Sequence, residues 1–409
     1  TAMRRMHIRG WIFLSNFDYG AYSSGGFMAD SKVDGGVGSY TQQQWLSRND
    51  TWDAWQGQVW NMVFVGISNP PAGSWPNPPY TVITNTPLIR EKPYLTADNI
   101  GNYYVRVPAL QTNSLGTTWA NGPTPGVSLP ISQFYLAHDG VDNAATLNAA
   151  LNAGKNLIFT PGVYHLTNSL LVTRSNTVVL GLGYATLVPD TGKPAMVISD
   201  VDGVNVGGLI FDAGAVKTPT ILQVGTTNSA LNHVGNPIFL YDICVRVGGA
   251  IVGKTDCCLT INANDVVGDN LWLWRADHGA GAGWYDNASN NGIIVNGDRV
   301  TIYGLFVEHH EQYQTLWNGN WGRVYFYQSE LPYDPPTQAT WSHDGVDGYA
   351  SYKVADHVTS HQTYGIGIYA VFINTTDVSC YNAIETPTNS PQVNIHNMIN
   401  VYIAGNVSA

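Results

Sequence analysis

Two glutamates 22 residues apart, Glu308 and Glu330, close two segments of one pattern. Tyr303-Gly-Leu-Phe-Val-Glu308 aligns with Tyr325-Phe-Tyr-Gln-Ser-Glu330, and that offset fits a single turn of a solenoid. Stacked coils lie about 4.8 Å apart, so the spacing predicts the two side chains one above the other. Two carboxylates that close cannot both ionise cheaply, and one pKa rises. A carboxylic acid still protonated near neutral pH can protonate a leaving oxygen, the step that breaks a glycosidic bond. Glu308 and Glu330 are therefore the candidate catalytic pair. Asp277, in Arg275-Ala-Asp-His278, is expected in the same column one coil earlier.

Sugars bind to flat apolar faces with polar edges. Trp272, Trp274, Trp284, Trp317, Trp321, Tyr313 and Tyr333 cluster along the sequence around the acidic pair. Any one of them can instead belong to a ladder of stacked rings. Trp317, in Gln314-Thr-Leu-Trp-Asn-Gly-Asn320, is the expected platform, with Tyr313, Trp274 and Asp277 as further substrate contacts. The histidines His278, His309, His310, His343, His357 and His361 have no compact metal-ligand spacing, and neither a metal nor a cofactor is expected. No Ser-His-Asp, phosphate-loop or dinucleotide motif occurs in a context that would confirm it.

Strands must position these residues, and composition agrees. Only 11% of the 409 residues are charged, against about 25% in typical domains. The net charge of −11 disfavours nucleic acid or an anionic membrane as partner, since both need a basic footprint. It also disfavours an acidic glycan, and with it a polysaccharide lyase. No run reaches the roughly 18 apolar residues of a membrane span. Short segments repeat one grammar, a polar turn residue followed by alternating Val or Leu. Examples are Asn176-Thr-Val-Val-Leu, Asp269-Asn-Leu-Trp-Leu-Trp, Asp298-Arg-Val-Thr-Ile-Tyr and Gln392-Val-Asn-Ile-His. Loops of variable length between such strands indicate a right-handed parallel β-helix. A propeller would show more regular blades.

Asp139 to Gly154 has helical spacing, with Asp142 or Asn143 as cap and Gly154 as stop. Such a helix would cover the open end of a solenoid at 131–409. Residues 111–130, rich in Ser, Thr, Gly and Pro, read as a linker. Residues 1–110 read as the final coils of a first, incomplete β-helix, whose earlier coils were removed or sit on a second polypeptide. The cysteines Cys244, Cys257, Cys258 and Cys380 are buried apolar residues, or include one disulfide. Asn49, Asn287, Asn374 and Asn406 match the glycosylation pattern.

Several segments carry a family resemblance: Ser23-Ser-Gly-Gly-Phe-Met-Ala-Asp-Ser-Lys, Gln42-Gln-Gln-Trp-Leu-Ser-Arg-Asn, Pro161-Gly-Val-Tyr, Val179-Leu-Gly-Leu-Gly and the two glutamate segments. The chain resembles the family 55 glycoside hydrolases, which attack β-1,3-glucan, within the pectate-lyase-like β-helix group. The resemblance implies tandem β-helices with the site in the cleft between them. It implies exo-acting, inverting hydrolysis of a neutral polysaccharide outside the cell. Glu330 then matches the general acid, and Glu308 supports its proton or binds sugar. The attacking water would be held by amide and hydroxyl groups of the first β-helix, with Gln43, Gln44 and Ser24 as candidates. The alternative is a non-catalytic β-helix that binds carbohydrate or serves adhesion or assembly.

Overall fold

The computed structural model describes residues 2–15, 22–372 and 378–405. From Phe134 onward the chain winds as a parallel β-helix. One sheet of thirteen described strands runs from Phe134–Ala137 through Ile238–Val247, Val266–Arg275, Thr301–Glu308, Gly322–Glu330 and Ser360–Phe372 to Gln392–Gly405. A second sheet of eight runs from Leu170–Val172 to Ile384–Glu385. Every pairing along both sheets is parallel. Alternate Val, Ile and Leu side chains point inward and form one continuous core. Polar turn residues stack as well: Asn318 donates to Asn296, and Asn296 to Asn262.

The helix covering the open end is Ala144–Asn152. Asn143 caps it in a capping box with Thr146, and Ala144, Leu147, Ala150 and Leu151 are buried. Val141 lies before the helix and is 75% exposed, so the buried stripe begins one turn later than the sequence spacing suggested.

Residues 2–83 form a second parallel unit. Its main sheet is ordered Ala2–Arg4, Phe27–Ala29, Gln44–Arg48, Asn61–Val65, Tyr80–Ile83. Beyond it the reading as coils and linker gives way. Thr86–Ile89 pairs antiparallel with Gln111–Ser114. Tyr94–Ala97, Tyr103–Pro108 and Gly126–Pro130 form an antiparallel three-stranded sheet. The segment 111–130 resembled a linker because its strands lie at sheet edges, with prolines only at strand ends, where no ladder bond is lost. Its polar groups are tied to the first unit: Thr118 and the Trp119 indole donate to Asp30.

The long strands of the β-helix all bend at one place. Asp242, Asn270, Gly304, Phe326, Gly365 and Asn397 stand opposite one another in register. All six have φ between +47° and +73°, the left-handed region that ordinary residues avoid. At Gly304 a Cβ would come within 3.3 Å of Leu46 and 3.4 Å of Phe27 on the first unit. Before the bend, Tyr303, Tyr325, Tyr364 and His396 stack ring on ring at 4.7–5.2 Å. This face packs on Phe27, Leu46, Val63 and Val65.

Charged groups are buried in that interface. Arg48, fully buried, donates to both oxygens of Glu91 and both oxygens of Asp269 at 2.6–3.0 Å. Arg4 reaches Asp242 and Asp269 from the same side. These carboxylates hold the Arg48 guanidinium firmly protonated. Arg48→Met leaves Glu91 buried without its cation, and such unpaired charges cost about 3–5 kcal/mol. Denaturant unfolding at pH 7 should register that loss, and it should shrink in acid as the carboxyls protonate. An unchanged midpoint would contradict the role given to Arg48.

Candidate active site

Past the bend, side chains alternate between core and solvent. Leu271, Leu305, Tyr327 and Ile366 point inward. The residues that follow them form an outward column: Thr186, Ile210, Cys244, Trp272, Phe306, Gln328, Gly367. Two residues further on, a second column reads Asp212, Arg246, Trp274, Glu308, Glu330, Tyr369. Thr186 to Gln328 of the first column, with Arg246 and Glu308 of the second, floor a cleft of about 1020 Å³. Its opposite wall comes from the first unit and the hairpin region, through Ala2, Ser24, Gly25 and Lys92.

Glu308 and Glu330 are direct register partners on adjacent strands, as the 22-residue offset required. Glu308 accepts a hydrogen bond from the Trp272 indole at 2.9 Å. Burial, followed by the negative charge of Glu330, pushes its pKa up to about 8 against the lowering effect of its donors. Glu330 accepts from the Tyr333 hydroxyl and, at 3.3 Å, from the Gln328 amide. Tyr333 packs edge-on against His309, whose Nε2 lies 3.9 Å from Glu330 and 4.0 Å from Asp277. Burial keeps the His309 ring on the neutral side of its usual range. The loop carrying Tyr333 is anchored by a two-pronged bond from buried Arg275 to Asp334.

The expected contacts divide. Trp274 stands beside Glu308 in register and stacks on Trp272 at 5.6 Å. Ser24 lines the cleft and donates to Gln43 at 2.8 Å. Gln44 reaches across and accepts from the Tyr369 hydroxyl at 2.9 Å. Three expectations need correction. Asp277 is not in the column: Trp274 pairs with Glu308, and Asp277 lies past the strand end, bonded to His278. Trp317 is no platform. It sits on an inward-facing position of Thr315–Trp317, fully buried, and packs against His361 and Tyr352. Tyr313 lies outside the cleft lining, bonded to His343 and packed edge-on against Tyr349.

The disulfide alternative and two of the glycosylation matches fall away. All four cysteines are free, and Cys244 forms part of the cleft floor. Asn49 and Asn287 are fully buried, so neither can accept a glycan. Asn374 and Asn406 lie outside the described residues. Among the described residues no cluster of His, Cys, Asp and Glu could hold a metal. The unforeseen lining residues include Phe306, Gln328 and Arg246. Phe306 and Gln328 each stand two places before a glutamate of the pair, a period-2 signal that was available.

A family profile for the LAM55 pectate lyase-like domain matches residues 134–330, from the first strand of the β-helix to Glu330 itself. A solved structure of sacteLam55A from Streptomyces sp. SirexAA-E superposes with a TM-score of 0.95 at 44% identity, covering 99% of this chain and 75% of that one. The chain belongs to the LAM55 pectate-lyase-like family. An exo-beta-1,3-glucanase of Streptomyces sp. (strain SirexAA-E / ActE) is 46% identical over 402 residues, and this LAM55 chain spans 66% of its length. A glucan 1,3-beta-glucosidase of Cochliobolus carbonum is 25% identical over 287 residues, 35% of its length. A variant of sacteLam55A solved in complex with glucose matches this chain at 43% identity and a TM-score of 0.95.

The raised Glu308 pKa has a thermodynamic consequence. An acid whose pKa is higher folded than unfolded contributes full stability below the ordinary carboxylate range. That contribution is lost as pH rises from there toward about 8. Glu308→Gln should flatten this part of the melting temperature against pH profile, and Glu330→Gln should reduce its slope. Identical profiles for wild type and Glu308→Gln would show that Glu308 titrates normally.

Proposed function

We propose that this chain hydrolyses a neutral β-1,3-glucan from a chain end, with inversion and with Glu330 as general acid. The observation that carries the reading is the stacked pair Glu308 and Glu330, with Glu308 in the lining of a cleft floored by Trp272 and Phe306. The activity named for the Streptomyces relative supports it. Burial and the negative charge of Glu330 both make ionisation of Glu308 costly. Glu330, bonded to Tyr333 and Gln328, donates to the leaving oxygen. Glu308, whose pKa is lifted to about 8, keeps the proton available near neutral pH.

The opposite wall suits the water-positioning role. Ser24, in the cleft lining, donates a hydrogen bond to Gln43 on the first unit. Their hydroxyl and amide can hold a water where an inverting enzyme needs it, several ångströms from the acid. Trp272 and Phe306, both in the cleft lining, give the glucan apolar faces to lie on. A polymer of this kind is met outside the cell, and secretion belongs to the same proposal.

General acid catalysis contributes about 10²–10⁴-fold. Glu330→Gln should lose roughly that much on laminari-oligosaccharides, yet keep most of its activity on a nitrophenyl glucoside, whose leaving group needs no proton. Proton NMR of the first product should show the α-anomer. Equal loss on both substrates, or release from laminarin unchanged in Glu330→Gln, would refute the assignment.

A further inference from the structure

The outer sheet of the first unit carries aromatic rings that the cleft does not use. Ile12–Phe13, Gly36–Gly38 and Ala54–Gln56 pair in parallel on this side. Val37 and Trp55 belong to the core of the unit, with Met28, Trp45 and Phe64. Alternation turns their neighbours outward: Phe13 beside Gly38 and Gln56, and Gly36 beside Ala54. Gly36 has no side chain, and the Trp11 ring lies across it. A Cβ on Gly36 would meet three consecutive atoms of that ring within 2.9 Å. Three atoms that close place the face of the ring, not its edge, over the glycine. A Cβ on Gly38 would meet Phe13 at 2.8 Å and Tyr40 closer still. Gly36 and Gly38 are about 6.6 Å apart along their strand. The Trp11 and Phe13 rings match that step, with centroids 6.3 Å apart and planes 19° apart, so they lie side by side. Tyr40 meets Phe13 edge-on at 5.1 Å. Trp11 and Phe13 are each 45% exposed, and Tyr40 is 41% exposed.

Large rings grouped in one patch and open to water mark an interaction surface. Charge narrows the ligand. The outward positions Trp11, Phe13, Gly36, Gly38, Ala54 and Gln56 carry no ionisable group. Asp34, two residues before Gly36, is paired with His7 and Lys32. A charged partner finds no counter-ion on these positions, whereas an uncharged polymer with flat apolar faces needs none. Successive pyranose rings of a neutral glycan present such faces in a row. We infer that Trp11, Phe13 and Tyr40 form a second glucan-binding surface, outside the cleft, that holds the protein on insoluble neutral β-glucan. The choice of glucan rests on the proposed function. None of the three residues lines the cleft, yet the two regions share a coil. From Gly38 the chain passes through Tyr40 to Gln43, which accepts from Ser24 in the cleft lining. Polymer held on the rings stays close to the cleft, and a second weak contact on one polymer multiplies retention.

The test measures retention on curdlan particles, an insoluble β-1,3-glucan, by depletion of protein from solution. All variants carry Glu330→Gln, so that the particles are not eroded. Trp11→Ala with Phe13→Ala should lower the partition onto curdlan at least about tenfold. Trp11→Tyr with Phe13→Tyr keeps flat rings at both places and should keep most of the retention. With Glu330 intact, the alanine pair should hydrolyse laminaritriose at the unaltered rate, because the cleft alone handles so short a chain. Should the alanine pair fail to fold, Trp11→Ala by itself should lower retention. Undiminished retention in a folded alanine variant would overturn the inference. So would a loss that the tyrosine pair shares, or one matched by an equal loss on laminaritriose, since either would mark a structural role for the rings. Ring-dependent retention in a protein that hydrolyses no laminari-oligosaccharide would overturn the functional reading and leave the surface standing.

Discussion

One left-handed residue in each long strand of the β-helix sets the shape of this molecule. Without the bend at Asp242, Asn270, Gly304, Phe326, Gly365 and Asn397, each long strand would present a single outward face. With it, the strand presents two. The face before the bend is a ladder of stacked rings that packs on the first unit. The face after it floors the cleft. Glycine accepts this conformation at no steric cost, Asn and Asp tolerate it, and Phe326 does not favour it. Held between neighbours with the same bend and buried at the interface, Phe326 shows that the coil overrides local preference.

The second constraint is the charge buried where the units meet. Arg48 and Arg4 come from the first unit; Asp269 and Asp242 come from the β-helix at or beside the bend. Such pairs contribute modestly to net stability, but they tolerate little displacement, because a lost partner leaves an uncompensated charge. Distances across the cleft depend on that placement. Ser24 can share a cleft with Glu308, and Gln44 can meet Tyr369, only while the units stay in this alignment.

The glutamate pair was legible because parallel stacking turns a sequence offset into a spatial one. An offset of 22 between like segments left little freedom, and the register bears it out. The capping helix was equally legible from Asn143 and the apolar spacing. Trp317 shows the limit. It lies between the glutamates in sequence, yet it belongs to the second sheet, on an inward position. Closeness along the chain says little about which side of a coil a residue occupies. Tyr313 went astray for the same reason. Asp277 was misplaced because the strand Val266–Arg275 ends before it, so Trp274 takes its place in the column.

By itself, then, the sequence determined the winding. Polar turns, alternating aliphatic residues and few charges leave stacked parallel coils as the arrangement that buries the apolar positions and pairs the backbone. It also determined that Glu308 and Glu330 would be neighbours, since both lie on one ladder. Only the tertiary structure decided what faces them. The opposite wall, the Gln44–Tyr369 hydrogen bond and the arginine contacts with Asp269 all join residues hundreds of positions apart. No repeat or periodicity encodes such pairings. They follow from the fit of two separate surfaces, and that fit exists only once both units have folded.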